Sequence, residues 1–440
     1  MQFGTDGVRG VAYSELTPEF AVRLGRAAAR VLGRDGTGTV IVGGDTREST
    51  DALDRALCEG FATEGIDVIR LGVAPTPQIA FEAQRRVSLG AVVSASHNPY
   101  TDNGIKLFAR GGVKLPDAVE RRIEHELATV GDVPLPSICG RVDDAGADDD
   151  AYIAHVLGFL EGIRLDDLRL VLDAANGAAH RIGPEVLRAT GAEVIVVAAE
   201  PDGRNINDRC GATAPSLVAG AVREHGADVG IALDGDADRL IAVDHTGNVV
   251  DGDHIIAITA KDLHGRGELR HDTVVVTVMT NLGFHLAMRE AGIDVVQTAV
   301  GDRYVLEALA AGNYSIGGEQ SGHVIFADHA TTGDGLLTAV ALLDAVQRSG
   351  RPLADVAADA MTSLPQVLVN VRVAQRMPDV GDRLAADVAA VESDLGDQGR
   401  VLVRASGTEP LVRVMVEAPT HERAHRAADD LADAVRRLTG

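Results

Sequence analysis

Three acids in the segment LDGDADRL, Asp234, Asp236 and Asp238, stand at alternate positions. An extended backbone would send all three carboxylates from one face toward a single hard cation. Without a cation they would repel one another. An EF-hand calcium loop is excluded, because counting from Asp234 its required glycine falls on Arg239 and its terminal glutamate on His245. A few carboxylates that leave room for water and a phosphate oxygen suit Mg²⁺.

A second candidate lies in GAVVSASHNPYTDNGIKLF, where a buried-type strand from Gly90 to Ser94 breaks into the polar run Ser96, His97, Asn98, Pro99. Strand ends are where α/β folds place their sites. The Gly-x-Ser-x-Gly elbow of a serine hydrolase is absent, and neighbours such as Ser96 and His97 are expected to point apart, so no triad is formed. A serine on such a loop can instead carry a phosphoryl group of about −2 charge, which requires a cation or a helix N-terminus nearby. An ordinary turn has the same composition; the acidic cluster favours the phosphoryl reading.

In GGEQSGH, Glu319, Ser321 and His323 alternate toward one surface, with groups suited to sugar hydroxyls and to proton transfer. Chemistry alone assigns this loop no role. In RASGTEPLVRV, Arg404, Ser406, Gly407, Thr408 and Arg413 offer two guanidinium forks, two hydroxyls and a pliable backbone, a suitable cradle for a dianion. A hairpin with surface arginines would have the same composition. No nucleotide-binding Gly-x-x-x-x-Gly-Lys-Ser/Thr pattern occurs in the chain.

The elements that position these loops are legible in composition and period. The 440 residues are too many for one compact core, and with 3% aromatics and no tryptophan the cores must be aliphatic, as in parallel strands packed by helices. A net charge of −24 without a basic stripe argues against nucleic acid, so a phosphorylated ligand needs a locally basic pocket. Cys58, Cys139 and Cys210 are odd in number and far apart, as in a reducing compartment. With no apolar run near ~20 residues and an acid at position six, no signal peptide or membrane span is expected, and the chain is read as cytoplasmic.

Segments starting at Thr39, Leu168 and Asp272 share one grammar: an apolar run, a polar loop, a helical stretch, a glycine (Gly65, Gly191, Gly292), then a second apolar run. Each reads as a β-α-β crossover. The prolines and acids after Gly131 read as a linker, and a His-Thr-Gly-Asn turn precedes a boundary near Val250. The expected domains are 1–150 with the Ser96 loop, 151–250 with the metal loop, 251–363 with the Glu319 loop, and 364–440 with the phosphate loop. The fold class is α/β: three similar α/β domains with mixed sheets plus a C-terminal α+β domain, arranged around one central cleft.

Together, FGTDGVRG, SASHNP, DGDADR, GEQSGH and RASGTEP, in that order along the whole chain, resemble the signatures of the α-D-phosphohexomutase superfamily. Within it, GTDGVRG, VGDRYV, GEQSGH and TTGDG resemble the phosphoglucosamine mutase family. Ala237 and Ala405 depart from the usual pattern, and neither would be a ligand.

The resemblance implies that Ser96 is a phosphoserine whose phosphate oxygen completes one Mg²⁺ site with Asp234, Asp236 and Asp238. His97 and Arg239 would support that loop. Arg9, Lys106 and His323 would lie near the reacting hydroxyls, with the general base left open. Gly301, Asp302, Arg303, Glu319 and Ser321 would bind the sugar, and Arg404, Ser406, Gly407, Thr408 and Arg413 its distal phosphate. The implied reaction converts glucosamine 6-phosphate to glucosamine 1-phosphate through a hexosamine 1,6-bisphosphate that turns over in the cleft, feeding UDP-N-acetylglucosamine and cell-wall precursors. Phosphomannomutase and phosphoglucomutase activity is the alternative. First phosphorylation of Ser96 is left to a kinase or a bisphosphate. Pairing into a homodimer is allowed by the resemblance, but no interface is legible.

Overall fold

The computed structural model describes residues 3–4, 6–33, 38–132, 139–405 and 410–439. These fall into two compact units, Met1–Met279 with Gly292–Ala360, and Thr280–Ala291 with Met361–Gly440.

The first unit opens with β1 (Val8–Val11), α1 (Pro18–Leu32), β2 (Thr39–Gly44), α2 (Thr50–Thr63), β3 (Asp67–Val73), α3 (Thr76–Arg85), β4 (Leu89–Val93), β5 (Asp102–Ala109), β6 (Val113–Lys114), α4 (Asp117–Thr129) and β7 (Val142–Asp143). Their sheet runs β1-β5-β4-β2-β3-β7, with β6 on β5. Strands β4, β2, β3 and β7 are parallel and β5 is antiparallel to β4, so the sheet is mixed. Thr17 caps α1, whose Ala27, Ala28 and Ala29 are buried. Small residues let α1 and α2 approach closely: a Cβ on Gly60 would come within 2.3 Å of the Val22 carbonyl oxygen.

Next come α5 (Asp149–Leu157), β8 (Arg169–Asp173), α6 (Ile182–Ala189), β9 (Glu193–Val197), α7 (Ser216–His225), β10 (Val229–Leu233), β11 (Leu240–Asp244) and β12 (Val249–Val250). The sheet order is β12-β11-β10-β8-β9, with β9, β8 and β10 parallel and β11 reversed.

Then follow α8 (Gly252–Arg266), β13 (Thr273–Thr277), α9 (Leu282–Glu290), β14 (Asp294–Thr298), α10 (Asp302–Gly312), β15 (Ile316–Gly318), β16 (Val324–Phe326), α11 (Gly335–Ser349) and α12 (Leu353–Ala360). The third sheet is β14-β13-β15-β16, with only β16 antiparallel. All three expected crossovers form, and Gly65, Gly191 and Gly292 have φ of 86, 103 and 72°, the left-handed region that stops a helix cheaply only at glycine.

The second unit contains β17 (Gln366–Arg372), α13 (Val380–Arg383), α14 (Ala385–Leu395), β18 (Arg400–Ala405), β19 (Leu411–Glu417) and α15 (His421–Thr439) around an antiparallel β17-β19-β18 sheet. It also takes α9, which sequence reading left with residues 251–363. Hydrogen bonds tie it there: Asn281 donates its amide to the Leu364 carbonyl at 3.0 Å and accepts from the Leu364 N–H at 2.9 Å, while the Leu282 N–H donates to Glu417 at 2.8 Å. Cys58 and Cys210 are buried and Cys139 is exposed. Among the described residues, no helix is long and apolar enough to cross a membrane.

Candidate active site

Ser96 stands just past β4 with φ +53°, a conformation costing a non-glycine residue about 1–3 kcal/mol. Its N–H donates to Ser94 Oγ at 2.9 Å, and its own Oγ donates to Asp234 Oδ2 at 2.6 Å. Contrary to the sequence expectation, His97 does not point away. The left-handed turn brings His97 Nδ1 to 3.3 Å from Ser96 Oγ. The side chains still form no triad, since the carboxylate meets the serine rather than the imidazole.

Asp234, Asp236 and Asp238 follow β10 and are buried, with one carboxylate oxygen from each within 4.8 Å of the others. They converge by a turn and not by an extended run: Ala237 has φ +58° and its N–H donates to the Asp234 carbonyl at 3.0 Å. The three acids expected to converge do so, on a turn in place of an extended run.

The described oxygens suit a hard cation. Asp236 Oδ1 and Asp238 Oδ1 are buried with no hydrogen-bond partner, a costly state unless an ion takes them. Burial, with the charges of Asp238 and Asp236, pushes the Asp234 carboxyl well above the usual range. Asp238 goes the other way: burial opposes its charge, but Lys106 and then His323 hold it well below.

Lys106, on β5, places Nζ 2.8 Å from Asp236, 3.0 Å from Asp238 and 2.9 Å from Asp6. Burial alone would lower its pKa, yet these three carboxylates raise it well above the ordinary value. His323 is likewise pushed up to about 9, burial being outweighed by Asp238 and Asp302. His97 falls to about 4, through burial first and then Arg239 and Arg9.

Beside this cluster lies a cavity of about 630 Å³, a suitable size for a phosphosugar. Arg9, His97, Asp238 and Arg239 line it, as do Gly301, Asp302, Glu319, Ser321 and His323. Ser96, 1% exposed, is not itself on the lining. The Arg239 N–H donates to Asp234 at 3.2 Å, and its buried Nε has no hydrogen-bond partner. The Gly301 N–H, at the start of α10, donates to Glu319 at 3.1 Å.

Arg303 does not join the cavity. It turns to α4, where it pairs with Glu120 at 2.6 Å and with Asp117. Sequence reading also missed Asp6 and Lys114: Asp6 accepts from Arg9 at 2.9 Å, and Lys114 bridges Asp6 at 3.1 Å and Asp302 at 2.5 Å. Thr76 was missed as well, though its hydroxyl donates to Asp236 at 2.6 Å. Asp6 sits inside the quoted FGTDGVRG motif, whereas nothing in the local sequence singles out Lys114 or Thr76.

In the second unit Arg404 and Arg413 face each other across β18 and β19. Burial, then the neighbouring Arg413 charge, lowers the Arg404 pKa, and Arg413 Nε is buried without a hydrogen-bond partner. Two facing guanidiniums with an unused donor suit an anion. Ser406, Gly407 and Thr408 lie outside the described residues.

Four family models of the phosphoglucomutase/phosphomannomutase type match the chain: domain I over residues 1–132, domain II over 150–247, domain III over 251–364 and the C-terminal domain over 368–434. Among solved structures, a phosphoglucomutase/phosphomannomutase family protein from Burkholderia thailandensis aligns with a TM-score of 0.83 at 25% identity, over 98% of this chain and 97% of that one. An N-acetylphosphoglucosamine mutase from Aspergillus fumigatus, in complex with GlcNAc-6P and magnesium, shares the fold with a TM-score of 0.72 at 19% identity, over 100% and 96%. A phosphoglucosamine mutase from Frankia alni is 55% identical over 99% of this chain and 98% of its own length. One from Streptomyces coelicolor is 53% identical over 100% and 99%. The chain belongs to the phosphoglucomutase/phosphomannomutase family and, within it, groups with the phosphoglucosamine mutases, isomerases that move a phosphoryl group.

Proposed function

We propose that the chain interconverts glucosamine 6-phosphate and glucosamine 1-phosphate in the cytoplasm, with Ser96 as phosphoryl carrier and glucosamine 1,6-bisphosphate as intermediate. The observation that carries this reading is Ser96 Oγ at 2.6 Å from Asp234, beside three carboxylates that keep two buried oxygens without a hydrogen bond. A Mg²⁺ held by Asp234, Asp236, Asp238 and the Ser96 phosphate would offset charge during in-line transfer.

In the forward step the sugar O1 attacks phosphorus, the O1–P bond forms, and the bond from phosphorus to Ser96 Oγ breaks. Arg239, whose Nε makes no hydrogen bond, and Arg9 stand on the cavity wall, where they can balance charge on the equatorial oxygens. Lys106 and His323 hold their protons through Asp236, Asp238 and Asp302. Neutralising those carboxylates would loosen that hold, so either residue could give its proton to the leaving Ser96 Oγ and take that of the attacking hydroxyl. Return of the 6-phosphoryl group to Ser96 after the sugar reverses releases glucosamine 1-phosphate.

Glu319 and Ser321 are assigned to the sugar hydroxyls. Arg404 and Arg413, with Ser406, Gly407 and Thr408, are assigned to the phosphate that does not react. A kinase or a hexosamine 1,6-bisphosphate would first charge Ser96, and the working form would be a homodimer.

The test is coupled-assay turnover of glucosamine, glucose and mannose 6-phosphates with magnesium and a trace of hexose 1,6-bisphosphate. A lead for glucosamine of about tenfold, about 1.4 kcal/mol of transition-state preference, supports the assignment. A lead for glucose or mannose would move the chain to the phosphoglucomutase or phosphomannomutase activity.

A further inference from the structure

The segment VGGDTR that ends β2 plays no part in the chemistry above, yet Arg47 is the most heavily engaged side chain beside the Ser96 loop. It is 3% exposed, and its side-chain hydrogen bonds go to that loop, to Asp102 at the start of β5, or to the aspartate that orients it. Nε donates to Asp45 Oδ2 at 2.8 Å, and Asp45 accepts the Ser94 hydroxyl at 2.5 Å and the Thr50 hydroxyl at 2.9 Å. Nη2 donates to the carbonyl oxygens of Ser96 and Asn98, both at 2.9 Å. Nη1 donates to the Asp102 carbonyl at 3.1 Å and to that of Pro99.

A second side chain reaches the same two carbonyls from another part of the fold. Asn207, in the loop after β9, donates Nδ2 to the Ser96 carbonyl at 2.9 Å and to the Asn98 carbonyl at 3.1 Å. Asn207 is fixed in turn, at φ +57° with its N–H bonded to the Ala175 carbonyl at 3.0 Å. One oxygen of Ser96 thus accepts from both Arg47 and Asn207. A planar guanidinium with several donors locks several acceptors at once, which a lysine cannot reproduce.

We propose that Arg47 and Asn207 are positioning residues that clamp the backbone of the Ser96 loop in its left-handed turn, so that the Ser96 oxygen stays aimed at the Asp234 cluster through both halves of the reaction. This rests on Ser96 being the phosphoryl carrier. On the Ser96 loop the clamp touches only backbone carbonyls, so it acts on where the Ser96 oxygen lies and not on how the sugar is held. A displacement of about 1 Å at a reacting atom can cost on the order of 10²-fold in rate.

The test compares Asn207→Ala and Arg47→Lys with wild type and Ser96→Ala, reading kcat and KM for glucosamine 6-phosphate, thermal melting, and inorganic phosphate released per mutase turnover. Asn207→Ala leaves the buried Arg47–Asp45 pair intact, so it reports even if Arg47→Lys does not fold. The expected result is a fall in kcat of about tenfold or more for Asn207→Ala with KM within about twofold and a rise in phosphate released per turnover, because a loosened phosphoserine meets water. Wild-type kcat in Asn207→Ala, or a loss shared between kcat and KM with phosphate release unchanged, overturns the clamp. If Ser96→Ala is inactive while Asn207→Ala turns over normally, only the clamp fails. An active Ser96→Ala defeats the carrier assignment beneath it.

Discussion

The ammonium nitrogen of Lys106 lies 2.8 Å from Oδ2 of Asp236, and the same nitrogen also reaches Asp238 and Asp6. Lys106 therefore stabilises a buried acidic cluster. Removing one partner of such a buried pair costs about 3–5 kcal/mol, because the other charge is left uncompensated. Lys106→Met is expected to melt well below wild type in EDTA and to recover part of that loss in millimolar Mg²⁺, which neutralises the same carboxylates. Melting curves with and without the metal check this, and an equal loss in both would contradict it.

Asp236→Asn and Asp238→Asn should each weaken Mg²⁺ binding by tenfold or more, since each removes charge from an oxygen with no protein hydrogen-bond partner. Calorimetric titration of the unphosphorylated protein with Mg²⁺ measures this directly. Unchanged affinity in both variants would remove the cation from this site.

Gly235 lies where the metal loop meets the Ser96 loop, and a Cβ there would come within 2.5 Å of the Ser96 carbonyl oxygen and 2.9 Å of Asn207 Nδ2. Gly235→Ala should push the two loops apart and lower kcat by on the order of 10²-fold. The loss in melting temperature should be no more than that of an ordinary overpacked core site.

Asp334 caps α11 through the Leu336 and Leu337 N–H groups and accepts the Tyr152 hydroxyl at 2.8 Å. Burial is the leading influence on its carboxyl, and raises the pKa from 3.8 to about 6 against the opposing pull of those hydrogen bonds. The folded protein therefore holds this proton more tightly than the unfolded chain does. Its contribution to stability is fully present below pH about 4 and is lost as pH rises through about 6, by about 3 kcal/mol at most. Asp334→Asn keeps a good cap and removes the titration. Its melting temperature relative to wild type should be higher at pH 7.5 than at pH 4.5, and a constant difference would contradict the shift.

Much of this was legible in the sequence because it depends on local grammar. The glycines that stop the helices, the aliphatic strands, the Ser96 loop and the three aspartates follow from spacing and residue type. What escaped depends on contacts between distant segments. Lys114 meets Asp302 from 188 residues away, and Thr76 meets Asp236 from 160. Arg303 sits in a legible motif, yet the buried Glu120 draws its side chain to α4. The turn at Ala237 and the left-handed Ser96 were hidden for another reason, since neither is a glycine to announce a positive φ.

Whether Ser96 carries the phosphoryl group is read from the fate of label from phosphate-labelled glucosamine 1,6-bisphosphate. The protein is incubated with the compound and Mg²⁺, digested, and mapped by tandem mass spectrometry, then chased with unlabelled glucosamine 6-phosphate. The account requires label on the peptide containing Ser96, at Ser96, and its recovery in sugar phosphate during the chase. Label on another residue, or label that leaves Ser96 only as inorganic phosphate, would contradict it.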